Sequence, residues 1–134
     1  MASRNRGKGK LKLRDLSRLR PSTEEHNKLA EQFARYQPPI VTAILGQALV
    51  ENELDQLLRT HFTKRDDDTW AKLTDEKGPL ATFCSKIIAA HAFGICNDVV
   101  RDCLNTVRQI RNAFAHSKKP LDFSHELIVK ELKN

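Results

Sequence analysis

The sequence predicts an all-α fold: a helical bundle of four main helices plus a short C-terminal helix, preceded by a disordered basic arm. Three observations carry this expectation. The composition is 40% hydrophobic with five Gly, five Pro and 6% aromatics, and it is rich in the Ala, Leu, Glu and Lys that favour helix. Apolar residues recur at intervals of three and four along most of the chain, whereas no segment alternates with the period of two that marks a half-buried strand. A chain of 134 residues is long enough for one core and short for two.

The arm comes first. Residues 1–20, MASRNRGKGKLKLRDLSRLR, hold eight basic side chains, Arg4, Arg6, Lys8, Lys10, Lys12, Arg14, Arg18 and Arg20, against one acid, Asp15. The remainder carries fifteen basic and sixteen acidic residues, so the whole excess behind the net charge of +6 lies in the arm. Such a block repels itself and has little apolar surface to offset the entropy of ordering, so it is expected to be disordered. Three uses fit its composition: an arm that binds RNA or DNA with salt-sensitive affinity, a solubilising tail, and an Arg-rich targeting peptide. The domain division expected is therefore an arm at 1–20 and a bundle at 21–134.

Ser22 followed three residues later by Glu25 forms a capping-box pattern and starts the first helix. Leu29, Ala30 and Phe33 share one face of it, and Pro38-Pro39 stops it by Tyr36. The longest helix runs over 40–62, with Val41, Ile44, Leu45, Ala48, Leu49, Leu54, Leu57, Leu58 and Phe62 at helical spacing. Glu51, Glu53 and Asp55 add an acidic face. Residues 63–78 are charged and end in Gly78-Pro79, so a loop with at most one helical turn is expected, anchored by Trp70 and Leu73. An apolar helix then spans 80–93 through Phe83, Ile87, Ile88 and Ala90, with Gly94 placed to end it. Asn97 or Asp98 caps the next helix, over 98–116, whose apolar set is Val100, Cys103, Leu104, Val107, Ile110 and Phe114. Pro120 breaks the chain, Ser124 caps again, and Leu127, Ile128 and Leu132 make the short last helix.

Several function classes have no support in the residues. No window holds the roughly 18–20 apolar residues of a membrane span, and the start lacks the apolar stretch of a secretory signal, so a cytoplasmic chain that does not enter membranes is expected. Cys84, Cys96 and Cys103 are odd in number, lack a CxxC pair and fall in apolar patterns, which predicts reduced, buried thiols. His91 and Cys96 lack two further ligands at usable spacing, so His91 reads as a buried histidine and no metal or other cofactor is expected. His26, His61 and His125 stand alone on charged stretches. There is no glycine-rich phosphate loop and no Ser nucleophile motif.

The stretch IRNAFAHS, residues 110–117, is the exception to an otherwise ordinary packing pattern. At about 100° per residue Arg111 falls between Leu104 and Val107, on the flank of the buried stripe. An arginine there cannot lose its charge, so it reaches water, pairs with a carboxylate, or receives an anion. Glu51, Glu53 and Asp55 are the intramolecular partners the sequence offers. Asn112 and His116 are four apart on one face, near enough for a hydrogen bond that orients the imidazole. Arg111 and His116 differ by about 140° and about 7.5 Å of rise, so one site using both needs a loosened last turn or a second chain.

RNAFAH fits the Arg-x4-6-His signature of the HEPN superfamily, with a polar residue after the arginine, and Arg111, Asn112 and His116 match it residue by residue. In order and spacing, ALVENELDQLLRTHF, GPLATFCSKIIAAHAFGIC and the helix ending IRNAFAHS resemble the mannitol operon repressor family, helical regulators related to the same bundle. The resemblance spans roughly 39–117 and leaves the arm and last helix outside it. It implies a homodimeric regulator of transcription that acts by binding protein or nucleic acid. In ribonuclease members of the superfamily the arginine and histidine of two chains line a cleft. Transferred here, Arg111 holds the phosphate and His116 moves a proton, with Asn112 between them, as a metal-independent endoribonuclease. Two further readings stand beside these: a noncatalytic protein-interaction subunit, for which unexplained exposed apolar residues such as Trp70 would speak, and a plain structural role in which Arg111 pairs within the chain and His116 caps the helix end. A helix-turn-helix formed by 80–93 and 98–116 is a poor groove reader, because Asp98, Asp102, Asn105, Gln109 and Asn112 are not basic.

Overall fold

A computed structural model describes residues 21–35 and 38–134, with the backbone alone for 32–34. The arm at 1–20, and so its expected disorder and its eight basic residues, lies outside the described residues, as does the side chain of Phe33. Among the described residues the chain is all-helical, without strands: α1 Thr23–Ala34, α2 Pro39–Thr60, α3 Asp67–Thr74, α4 Phe83–Ala92, α5 Asp98–His116 and α6 Glu126–Lys133. None of these helices is long and apolar enough to cross a membrane.

Local chemistry sets the helix ends. At α1, Ser22 Oγ accepts from the Glu25 amide at 3.2 Å while Glu25 Oε2 accepts from the Ser22 amide at 2.7 Å, the reciprocal box read from the sequence. At α4 the box is Thr82 with Ser85, each accepting from the other's backbone N–H. Gly94, at φ 70°, supplies the left-handed residue that releases the chain from α4. Asn97 then caps α5, its Oδ1 accepting from the Val100 amide at 2.9 Å. The cap of α6 is His125, whose Nδ1 accepts from the Leu127 amide. Ser124, expected to cap there, instead donates to Asp122.

The expected loop at 63–78 contains the two turns of α3. Asp66 caps it, accepting from the Thr69 amide at 2.9 Å, and Trp70 is its buried anchor at 8% exposure. The Trp70 ring meets Phe62 edge-on at 5.8 Å, and the Arg59 guanidinium lies 5.9 Å from the Trp70 centroid while pairing with Asp67 at 2.7 Å. The end of α2 is thereby tied to α3. Gly78 packs so closely under α3 that a Cβ there would lie 2.3 Å from the Leu73 carbonyl oxygen.

In place of one core, two neighbouring clusters form. Leu54, Leu58, Trp70, Leu80, Phe83, Ile87, Ala90 and Cys96 make the first, with Leu104 and Val107 of α5 packed against it. Ala43, Ile110, Phe114 and Ile128 make the second, flanked by Leu121 and Phe123. α2 and α5 run through both and pack on each other more extensively than any other pair of helices. Several expected core residues are exposed: Ile44 and Leu57 on α2, Ile88 on α4, Val100 on α5, and Leu127 and Leu132 on α6. Cys103 is also exposed, Cys84 is half-buried, and only Cys96 is fully buried, so the expectation of three buried thiols holds for one.

Candidate functional site

The polar edge at 111–116 exists because its apolar neighbours are held from two sides. Ile110 and Phe114 point into the second cluster, where the Phe114 ring meets Phe123 at a centroid distance of 4.8 Å and Ile128 closes the far side. With that stripe fixed, helical geometry turns Arg111, Asn112 and His116 onto the flanks. α5 remains helical through His116, and Ser117 ends it with its amide bonded to the Ala113 carbonyl at 2.9 Å. The last turn is thus not loosened. Arg111 and His116 stay splayed by about 140°, and one chain cannot aim both at a single atom.

Arg111 is half-buried, and its Nη1 donates to Asn112 Oδ1 at 3.2 Å. That acceptor is neutral, so it orients the guanidinium without balancing its charge. Among the described residues Arg111 forms no ion pair. Asn112 therefore serves Arg111, and among the described residues it makes no hydrogen bond with His116. His116 is exposed at the helix terminus.

The carboxylates expected to answer Arg111 are engaged elsewhere. Lys86 of α4, at 6% exposure, places Nζ 2.7 Å from Glu51 Oε1 and 3.0 Å from the Asp55 carboxylate. Glu53 lies 3.8 Å from His26 Nδ1. Burial works to lower the Lys86 pKa, but the Glu51 hydrogen bond and the Asp55 charge outweigh it and raise the value above that of a free lysine. Lys86 was missed in the sequence. Its signal was a lone charge in the apolar run FCSKIIAA, opposite two acids four apart on α2.

A second polar group joins α4 to α5. His91, expected to be buried, is partly exposed, with Nε2 2.7 Å from Asp98 Oδ1. Arg101 Nη1 reaches the same oxygen at 3.0 Å. The His91 hydrogen bond, then the Arg101 charge, hold the Asp98 carboxyl below its ordinary range. Burial pushes the Cys96 thiol up, against a small opposing effect of Arg101, so it is a poor nucleophile. No group of three His, Cys, Asp or Glu among the described residues is arranged to hold a metal ion. Arg101 is tied to Asp98 and Asp102, which leaves the outer face of α5 no freer to read a DNA groove than its sequence implies.

No family model, curated protein or solved structure matches the chain.

Proposed function

We propose that this chain is a regulator of the mannitol operon repressor type, acting as a homodimeric binding module in the cytoplasm, in which Arg111 receives an anionic group, a nucleic-acid phosphate, and the basic arm adds salt-sensitive affinity. The observation that carries the reading is the state of Arg111: half-buried, steered by Asn112, and without a carboxylate among the described residues. A guanidinium held in that way offers parallel N–H donors to a phosphate, the geometry such groups bind best. Binding is favoured over cutting because no hydrogen bond orients His116 among the described residues, and with α5 intact to His116 a cutting site would need the histidine of a second chain. A general acid or base must reach the atom it serves. Trp70 is buried in the first cluster, so support for a subunit that covers another protein falls instead to exposed apolar residues such as Ile88, Phe93 and Val99.

The test uses purified full-length chain and labelled RNA in EDTA, with Arg111→Ala, His116→Ala and a variant lacking residues 1–20. The expected result is intact RNA, retained on native gels in a salt-sensitive way and weakened by Arg111→Ala and by loss of the arm. Cleavage that both point substitutions abolish would replace this reading with a metal-independent endoribonuclease of HEPN type.

A further inference from the structure

One turn before Arg111, α5 carries a second arginine in the same condition. Arg108 is half-buried, and its Nε is sealed from solvent with no hydrogen-bond partner. Among the described residues neither Arg108 nor Arg111 forms an ion pair, whereas Arg59, Lys86 and Arg101 each touch a carboxylate. Outside the described residues, 1–20 contain the single acid Asp15, and positions 36 and 37 are Tyr and Gln. Arginine cannot shed its proton at any ordinary pH. A sealed N–H without an acceptor is an unfavourable arrangement that a well-packed helix pair normally avoids.

We propose that Arg108 and Arg111, three residues apart on neighbouring positions of α5, grip one ligand together, and that this ligand presents two negative charges on phosphate: a terminal phosphomonoester or two adjacent phosphodiesters of a single strand. Two guanidinium charges without counterions match two ligand charges, and a lone carboxylate would leave one of them unanswered. The proposal rests on the reading of Arg111 as an anion-binding residue and adds Arg108 to it. The rival arrangement is internal. Gln47 Oε1 of α2 is also buried without a partner, and a hydrogen bond from Arg108 to it would make Arg108 purely structural.

The experiment measures thermal unfolding and RNA affinity on the full chain for wild type, Arg108→Met, Arg108→Lys and Arg111→Ala. The probes are one short single-stranded RNA with a 5′-phosphate or a 5′-hydroxyl, and inorganic phosphate. Arg108→Met should leave the ligand-free Tm unchanged or higher, because a sealed donor is removed. It should weaken RNA binding about tenfold and reduce the slope of log affinity against log salt by about 0.7 for each single-strand phosphate the protein no longer neutralises. Arg108→Lys, which keeps a charge but not the fork, should recover part of the affinity. Preference for the 5′-phosphate, with competition by inorganic phosphate, identifies the terminal group; equal binding of both RNAs identifies adjacent phosphodiesters. If Arg111→Ala weakens binding while both Arg108 variants bind as wild type, or if Arg108→Met lowers the ligand-free Tm with affinity intact, the proposal falls and the Arg111 reading survives. If neither arginine matters, both fall.

Discussion

Lys86 Nζ on α4 lies 2.7 Å from Glu51 Oε1 on α2, inside the bundle rather than on its surface. This lysine engages Glu51 and Asp55 from within, two of the three carboxylates that the sequence sets out for Arg111.

Removing that lysine should be costly in a specific way. Lys86→Ala removes the Nζ charge beside Glu51 and Asp55 and should destabilise the fold by about 3 kcal/mol, near the low end for broken buried pairs, because each acid keeps about a quarter of its side-chain exposure. Lys86→Met with Glu51→Gln and Asp55→Asn should recover most of this loss. Urea unfolding of the two variants decides the point, and equal losses in both would mean that packing rather than charge is responsible.

The same group sets an alkaline limit. Because its pKa is raised on folding, Lys86 contributes its stability below the ordinary lysine value of 10.5 and loses it as pH rises through the raised value. Wild-type Tm should therefore fall above pH 10.5 more steeply than that of Lys86→Met. Parallel alkaline profiles would contradict the assignment.

At the α4–α5 corner the sign is reversed. Asp98 is depressed by His91 and Arg101, so its contribution is present above the ordinary value of 3.8 and is lost as pH falls through the depressed one. Amide exchange over residues 91–101 should stay slow down to that range and quicken only below it, and Asp98→Asn should remove the dependence. Loosening well above that range, or a dependence that survives in Asp98→Asn, would contradict the assignment to Asp98.

The two glycines should respond differently to alanine. Gly94→Ala meets open space and incurs only the left-handed backbone, about 1 kcal/mol. Gly78→Ala drives a Cβ into the Leu73 carbonyl and must displace the end of α3, so its loss should be larger and should appear in Trp70 fluorescence. A similar small loss in both would show that the chain around Gly78 gives way freely.

The sequence was most legible where chemistry is local. The Ser22–Glu25 box, the Asn97 cap, the Gly94 exit and the register of α5 follow from neighbours within one turn. It was least legible where burial depends on distant packing. α3 was hidden because its apolar side is little more than Trp70 and Leu73 in a charged run, and it becomes a helix when Phe62 and Arg59 receive the indole. Val100 and Cys103 keep the spacing of a core stripe yet stay exposed, because the two clusters meet α5 only from Leu104 onward. At the candidate site, spacing located Arg111, Asn112 and His116 and gave their splay. The partner of Asn112 and the orphaned Nε of Arg108 depend on side-chain geometry that no periodicity encodes.

The central claim is that the Arg111 guanidinium is an anion receptor, and its own Nε–H resonance tests this most directly. In isotope-labelled full-length chain, assigned against Arg111→Lys and titrated with short single-stranded RNA in EDTA, that resonance should shift saturably while the RNA remains uncut. A resonance that does not move while RNA binds elsewhere, or RNA that is cut as the signal shifts, would contradict it.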